Sequence, residues 1–175
     1  WYTQTDAPQL EKVPECDVRS YSSGDEEQWL TLLQANGQLG VWDRARIDAV
    51  LRETYLQYFV ECRGRLVACA GINDRERDGK SCWEIGWVAV HPDFQGIGLG
   101  KLITGTALAK ALELSRRPIY LLTDDFRVPA LRCYLKLGFV PGSDHTSYRV
   151  RWQEIFARLG EDYRAVTPDY IAEER

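Results

Sequence analysis

Three glycines stand at alternate positions in "VAVHPDFQGIGLGKLI" (Val88–Ile103): Gly96, Gly98 and Gly100 lie between an apolar run and a helix-like segment. Glycine there loses backbone entropy and supplies no packing, so the junction must call for bare backbone. Pro92 bars continuation of a strand ladder. Glycines let backbone N–H groups turn inward, and the next helix adds unpaired donors and its positive dipole end. The chemistry that fits is binding of a phosphate or diphosphate. The glycines alone do not separate this from a plain strand-to-helix turn. Spacing excludes two phosphate loops. Gly100-Lys101 is followed by Leu102, so the GxxxxGK[ST] pattern fails, and Gly96-x-Gly98-x-Gly100, late in the chain, does not match GxGxxG.

Four titratable side chains could do proton or nucleophilic chemistry. Glu84 lies in "CWEIGWVAV" between Trp83 and Ile85, where burial would raise a carboxyl pKa towards a range useful for a base. Its alternative role is pairing with a neighbouring Arg or Lys. Tyr134, in "RCYLKLGF", is a phenol with an ordinary pKa of about 10 and stays protonated at neutral pH. It can donate a proton; simple packing is its alternative. His91 is the rival titrating group, but its place at the loop exit reads as turn structure. Cys133 is discounted as a nucleophile, since it neighbours Tyr134 on a helix with no His partner in view.

These residues need elements to hold them. "DVRSYSS" (17–23) reads as a first strand. Asp25 caps a helix over about 26–35 that ends at Asn36-Gly37, and Ile47, Val50, Leu51 and Tyr55 mark a second over about 43–56. "YFVECRGRLVACAGI" is a hairpin around Arg63-Gly64, with a polar loop at 73–81. "CWEIGWVAV" (82–90) is a central strand buried on both faces. A helix comes next over about 98–114, then a short strand at 119–123. Pro129 opens a further helix that Gly138 closes. "FVP" begins another strand, "TSYRVRW" (146–152) alternates like a last one, and a short helix precedes an acidic tail. The expected fold is α/β, a mixed, largely antiparallel central sheet with helices on both faces. The division is an extended arm at 1–16, one domain at 17–160 and a tail at 161–175.

Bulk properties set limits. The 175 residues, 45% hydrophobic and 27% charged, suit one globular domain with a real core. A net charge of −4 without a basic block disfavours nucleic acid as the main partner. No apolar run is long enough to span a membrane, and the polar start does not read as a signal peptide. Five cysteines without a CxxC pair read as free thiols in a reducing cytoplasm, and two histidines make a metal site improbable.

"Gln95-Gly96-Ile97-Gly98-Leu99-Gly100" resembles the Gln/Arg-x-x-Gly-x-Gly/Ala signature of the GNAT superfamily of N-acetyltransferases. Upstream, "EIGWVAVHPDF" is similar to the family's central strand and its exit. Downstream, "ALRCYLKLGFVP" is similar to its later helix and strand. The three blocks agree in order, and the resemblance covers about 57–150. It implies acetyl-CoA as cosubstrate, its pyrophosphate on backbone N–H groups of Gln95, Gly96, Ile97, Gly98, Leu99, Gly100 and Lys101. It implies pairing of the pantetheine arm with Val88, Ala89 and Val90. It also implies Tyr134 as the acid beside the CoA sulfur, Glu84 as the base, and the Val88 N–H as oxyanion donor. The acceptor would be a small-molecule or peptide amine attacking directly in a ternary complex; a homodimer is admitted. Where many members carry a CoA-contacting Asn, this chain has Arg127, which would touch a phosphate or pair with Asp124 or Asp125. Asp124 and Asp125 could attract a cationic acceptor, and Trp29, Trp42, Tyr55 and Tyr58 could line its pocket. The alternatives are a non-catalytic acetyl-CoA sensor, or an acyltransferase using another acyl group or acceptor.

Overall fold

The computed structural model describes residues 1–115, 117–142 and 145–160. Five strands, β1 (Cys16–Ser20), β2 (Thr54–Cys62), β3 (Arg65–Arg77), β4 (Lys80–Val90) and β5 (Ile119–Tyr120), form one sheet in that order. β1 to β4 are antiparallel neighbours, and β5 joins β4 in parallel. The helices are α1 (Glu26–Asn36), α2 (Arg44–Glu53), α3 (Leu99–Leu114), α4 (Val128–Lys136) and α5 (Tyr148–Leu159). The mixed, mostly antiparallel sheet with helices on both faces is the expected class.

Each face has its own core. α3 buries Leu99, Ile103, Ala107, Leu108 and Ala111 against Val60, Ala68, Ala70, Ile72, Trp83 and Ile85. Spacings of three and four place these α3 residues on its sheet-facing side. On the opposite face, Trp29, Leu32 and Leu33 of α1 and Ile47 and Val50 of α2 pack on Phe59, Leu66, Cys69 and Ala89. The Asp43 side chain caps α2 by accepting from the Arg46 N–H at 2.8 Å.

Several expectations are corrected. The polar stretch 73–81 is not a loop. β3 runs to Arg77, β4 begins at Lys80, and Asp78 and Gly79, with φ of 52° and 71°, make the tight turn. Such a turn matches strand twist, so the ladder continues through polar residues. The strand expected at 146–152 is helix, because Ile155 and Leu159, with Trp152 and Phe156 beside them, form a satellite core with Leu131 and Leu135 of α4. "FVP" contributes only a bridge at Phe139, whose partner is Tyr2. Tyr2 also bridges Ile119, so the N-terminal arm lies in the sheet between β5 and residue 139. Cys16 and Cys62, read as free thiols, are cross-strand partners joined by a disulfide. The tail at 161–175 lies outside the described residues.

Candidate functional site

The glycine loop leaves β4 through a 3₁₀ turn at Pro92–Phe94, pinned by His91, whose Nδ1 accepts from the Asp93 N–H at 3.2 Å. His91 is buried, and its Nε2 lies 2.6 Å from an Arg65 guanidinium nitrogen, so it serves the turn. Gly96 and Gly98 have φ of 82° and 95°, a region that side-chain-bearing residues avoid. Gly98 caps α3, and the Leu102 N–H is the donor that returns to its carbonyl. The amides of Leu99, Gly100 and Lys101, in the first turn, therefore have no intrahelical acceptor. Gln95, Gly96, Ile97 and Gly98 are exposed. A Cβ on Gly100 would meet only Val90 and Cys133, at 3.8 and 3.9 Å, which is ordinary contact. Packing does not demand glycine there; an anion held close to that backbone would.

β4 is opened beside this loop. Ala89 pairs with Cys69 and Gly86 with Gly71, so Trp87 and Val88 face Ala70 alone. This is a β-bulge, and Trp87 carries it with φ of 53°. β5 pairs with β4 only at Trp83↔Ile119 and Glu84↔Tyr120. From Gly86 to Val90, β4 therefore has no described strand on that side. An amide-bearing chain can add to such an edge at Val88, Ala89 and Val90.

The acid and base candidates flank the opened strand from opposite faces. Tyr134 belongs to the α3-side core, is 9% exposed, and meets Phe139 edge-on at 6.2 Å. Burial pushes its phenol pKa well above the ordinary value, the neighbouring Cys133 adds to this, and Arg127 partly offsets it. Tyr134 also lines a cleft with Tyr120, Thr123, Leu131 and Trp152. Glu84 lies on the other face. Its Oε2 accepts from Arg75 Nε at 3.2 Å and from the Tyr120 hydroxyl at 3.4 Å. The pairing with an Arg raised as its alternative thus exists, together with a phenol that sequence reasoning missed.

The remaining residues separate clearly. The Cys133 thiol is pushed up to about 11 by burial, which suppresses the thiolate. Among the described residues no His/Cys/Asp/Glu cluster could hold a metal. Arg127 pairs with Asp124 at 2.6 Å and donates to the Gln38 carbonyl, tying the start of α4 to the loop after α1. Asp125 accepts two hydrogen bonds from Arg151, which hold its carboxyl below the usual range. Trp29 is fully buried core, Tyr58 packs on the α3 side, and Tyr55 stacks near Trp83. Of the four expected aromatics, Trp42 meets Trp87 of the bulge edge-on at 5.1 Å. Sequence reasoning also missed Trp87, Gln57 and Asn73; the pairing register across three strands, rather than any local motif, brings them to the bulge.

The fold that carries this strand and loop has counterparts among solved proteins. The ribosomal-protein-alanine N-acetyltransferase of Brucella melitensis superposes with a TM-score of 0.62 at 20% identity, over 76% of this chain and 96% of that one. A GNAT family acetyltransferase of the same species, solved with acetyl-CoA, gives 0.54 at 18% identity over 62% and 76%. In sequence, a mycothiol acetyltransferase of Actinosynnema mirum is 29% identical over 145 residues, 75% of this chain and 47% of that protein. The chain thus spans about half the length of the curated relatives it matches. Residues 17–139 match the acetyltransferase (GNAT) family, and the chain belongs to it.

Proposed function

We propose that the chain transfers an acetyl group from acetyl-CoA to a primary amine by direct attack in a ternary complex. The observation that carries this reading is the open edge of β4 at the Trp87 bulge, continuous with the amide cradle at the start of α3. The cradle amides of Gln95 to Lys101 would hold the pyrophosphate, and the Val88–Val90 edge would pair with the pantetheine arm. The donor supplies an activated thioester carbonyl.

The chain's own groups have three tasks. Glu84, directly or through water, takes a proton from the ammonium so that the nitrogen can attack. The Val88 N–H stabilises negative charge growing on the carbonyl oxygen. Tyr134 gives its proton to the sulfur as the carbon–sulfur bond breaks. One N–C bond forms, one C–S bond breaks, and the products are an amide, the CoA thiol and a proton. Holding both reactants in one cleft supplies much of the rate.

The acceptor is a small-molecule or peptide amine. Relatives are named for mycothiol, and a structural neighbour for a ribosomal-protein alanine, so both classes belong in the test. No described helix is long and apolar enough to cross a membrane. We place the reaction in the cytoplasm, where acetyl-CoA is supplied; the Cys16–Cys62 disulfide runs against this, and thiol trapping in intact cells decides it.

The test is free-thiol release from acetyl-CoA across small amines and peptides with free N-termini, with a thermal shift by acetyl-CoA as binding control. Transfer predicts both a shift and release with at least one amine. A shift without release supports the sensor alternative, and no shift at saturating acetyl-CoA overturns the reading.

A further inference from the structure

On the sheet face that carries α1 and α2, three strands place polar side chains in two adjacent rows. Thr54, Asn73 and Glu84 are successive cross-strand partners, and Gln57, Gly71 and Gly86 form the row beside them. Gln57 and Asn73 are 4% and 1% exposed. Nevertheless Thr54 Oγ1, Gln57 Oε1 and Asn73 Oδ1 are buried and have no hydrogen-bond partner. Gln57 Nε2 donates to the Tyr58 carbonyl at 3.1 Å, which fixes its oxygen as the unpartnered end. Buried polar atoms are nearly always paired in folded proteins, so three orphan oxygens in one patch ask for a donor.

The two glycines show that room is kept for this patch. A Cβ on Gly71 would fall 2.8 Å from Gln57 Oε1, and one on Gly86 would fall 2.7 Å from Asn73 Nδ2 and 3.4 Å from Glu84 Oε1. Asn73 and Glu84 therefore converge over Gly86, one residue before the bulge at Trp87. Glu84, with its side chain 20% exposed, forms the rim. A rotation about Asn73 χ2 exchanges its nitrogen and oxygen and turns Oδ1 towards that rim. The nearby cation, Arg75, is engaged with Glu84, Glu53 and the Asp74 carbonyl.

Two carboxamide oxygens, a hydroxyl and a carboxylate are an acceptor-rich lining. The group that complements it is a cation with several N–H donors, and a primary ammonium carries three. We propose that Thr54, Gln57 and Asn73 form an ammonium subsite that receives the acceptor's amino group beside Glu84. Turnover of the bound amine rests on the transferase function proposed for the chain; the binding itself does not. The subsite selects unsubstituted primary amines, because each N-alkyl group removes one donor and adds bulk against the Gln57 and Asn73 side chains that lie over Gly71 and Gly86.

Side-chain amide NMR of the ¹⁵N-labelled chain tests this without turnover. Methylammonium chloride should shift the Gln57 and Asn73 side-chain NH₂ signals saturably, and tetramethylammonium chloride at equal ionic strength should not. Silent signals, or equal responses to both salts, overturn the subsite. In kinetics, Asn73→Leu should raise the amine KM about tenfold or more, leave the acetyl-CoA KM within about twofold, and be rescued in Asn73→Asp. An unchanged amine KM in a folded Asn73→Leu also overturns it. The two readings fail separately: amide shifts without CoA release overturn transfer alone, and CoA release with silent amides overturns the subsite alone.

Discussion

The two faces of β4 are chemical opposites. On the α3 side, the loop and the first turn of α3 offer backbone N–H donors, exposed from Gln95 to Gly98 and bare of side chains at Gly96, Gly98 and Gly100. On the α1 and α2 side, Thr54, Gln57, Asn73 and Glu84 offer oxygen acceptors, mostly buried. The first suits a diphosphate anion, the second an ammonium cation. The proposed acid and base divide the same way, with Tyr134 on the donor side and Glu84 on the acceptor side. The bulge at Trp87 lies in β4 between Glu84 and the glycine loop. Under the proposed reaction, one irregular residue in a strand would serve two reactants of opposite charge approaching from opposite faces.

The largest break in this comparison is expected from the loss of either group proposed to handle a proton. Tyr134→Phe should lower kcat by about 10²-fold or more, the usual scale for a general acid, with the acetyl-CoA KM little changed. Unchanged kcat removes Tyr134 as the acid. Burial raises the phenol pKa, so the acid form persists as pH rises. The wild-type kcat profile should therefore stay level through about pH 10, an unperturbed tyrosine's midpoint, and fall only above it. Glu84→Gln, on the other face, should abolish the acidic limb of kcat/KM; a retained limb assigns the base elsewhere.

A smaller and one-sided effect is expected of Gly98→Val. A branched side chain at φ 95° is strained by about 1–3 kcal/mol, and the loop relieves this by moving its amides. Acetyl-CoA affinity should fall by up to about 100-fold. The methylammonium response of the Gln57 and Asn73 amides should survive, since they lie on the other face. Loss of both responses together would show that the faces are not independent.

The donor face was legible in sequence because its signals are local. Gly96, Gly98, Gly100 and Pro92 lie within nine consecutive residues, and the apolar residues of α3 come directly after. The acceptor face was not legible. Thr54, Gln57 and Asn73 are ordinary polar residues on two strands, and only the pairing register, shifted at Thr54/Leu56, brings them together. The end of the domain was misread for a different reason. "TSYRVRW" alternates over seven residues, but its last residue, Trp152, starts a helical spacing that Ile155, Phe156 and Leu159 continue beyond that window, and packing on α4 settles the choice. Asp78-Gly79 was a hairpin signal hidden among charges, overlooked because the flanking strand residues are polar.

The finest test of the donor face is Gly100→Ala, because its two consequences have opposite signs. Gly100 is the second residue of α3, and a methyl there meets nothing closer than 3.8 Å. Alanine loses less backbone entropy than glycine in a helix, a gain of about 0.5–1 kcal/mol. In a domain this size, that should raise Tm by about 1–4 °C. The same methyl stands where a diphosphate would approach the backbone, so the acetyl-CoA KM should rise about three- to tenfold. A glycine kept for packing would give neither result; one kept for turn geometry would lower Tm. Only a glycine kept clear for a ligand predicts a more stable protein that holds its donor less well.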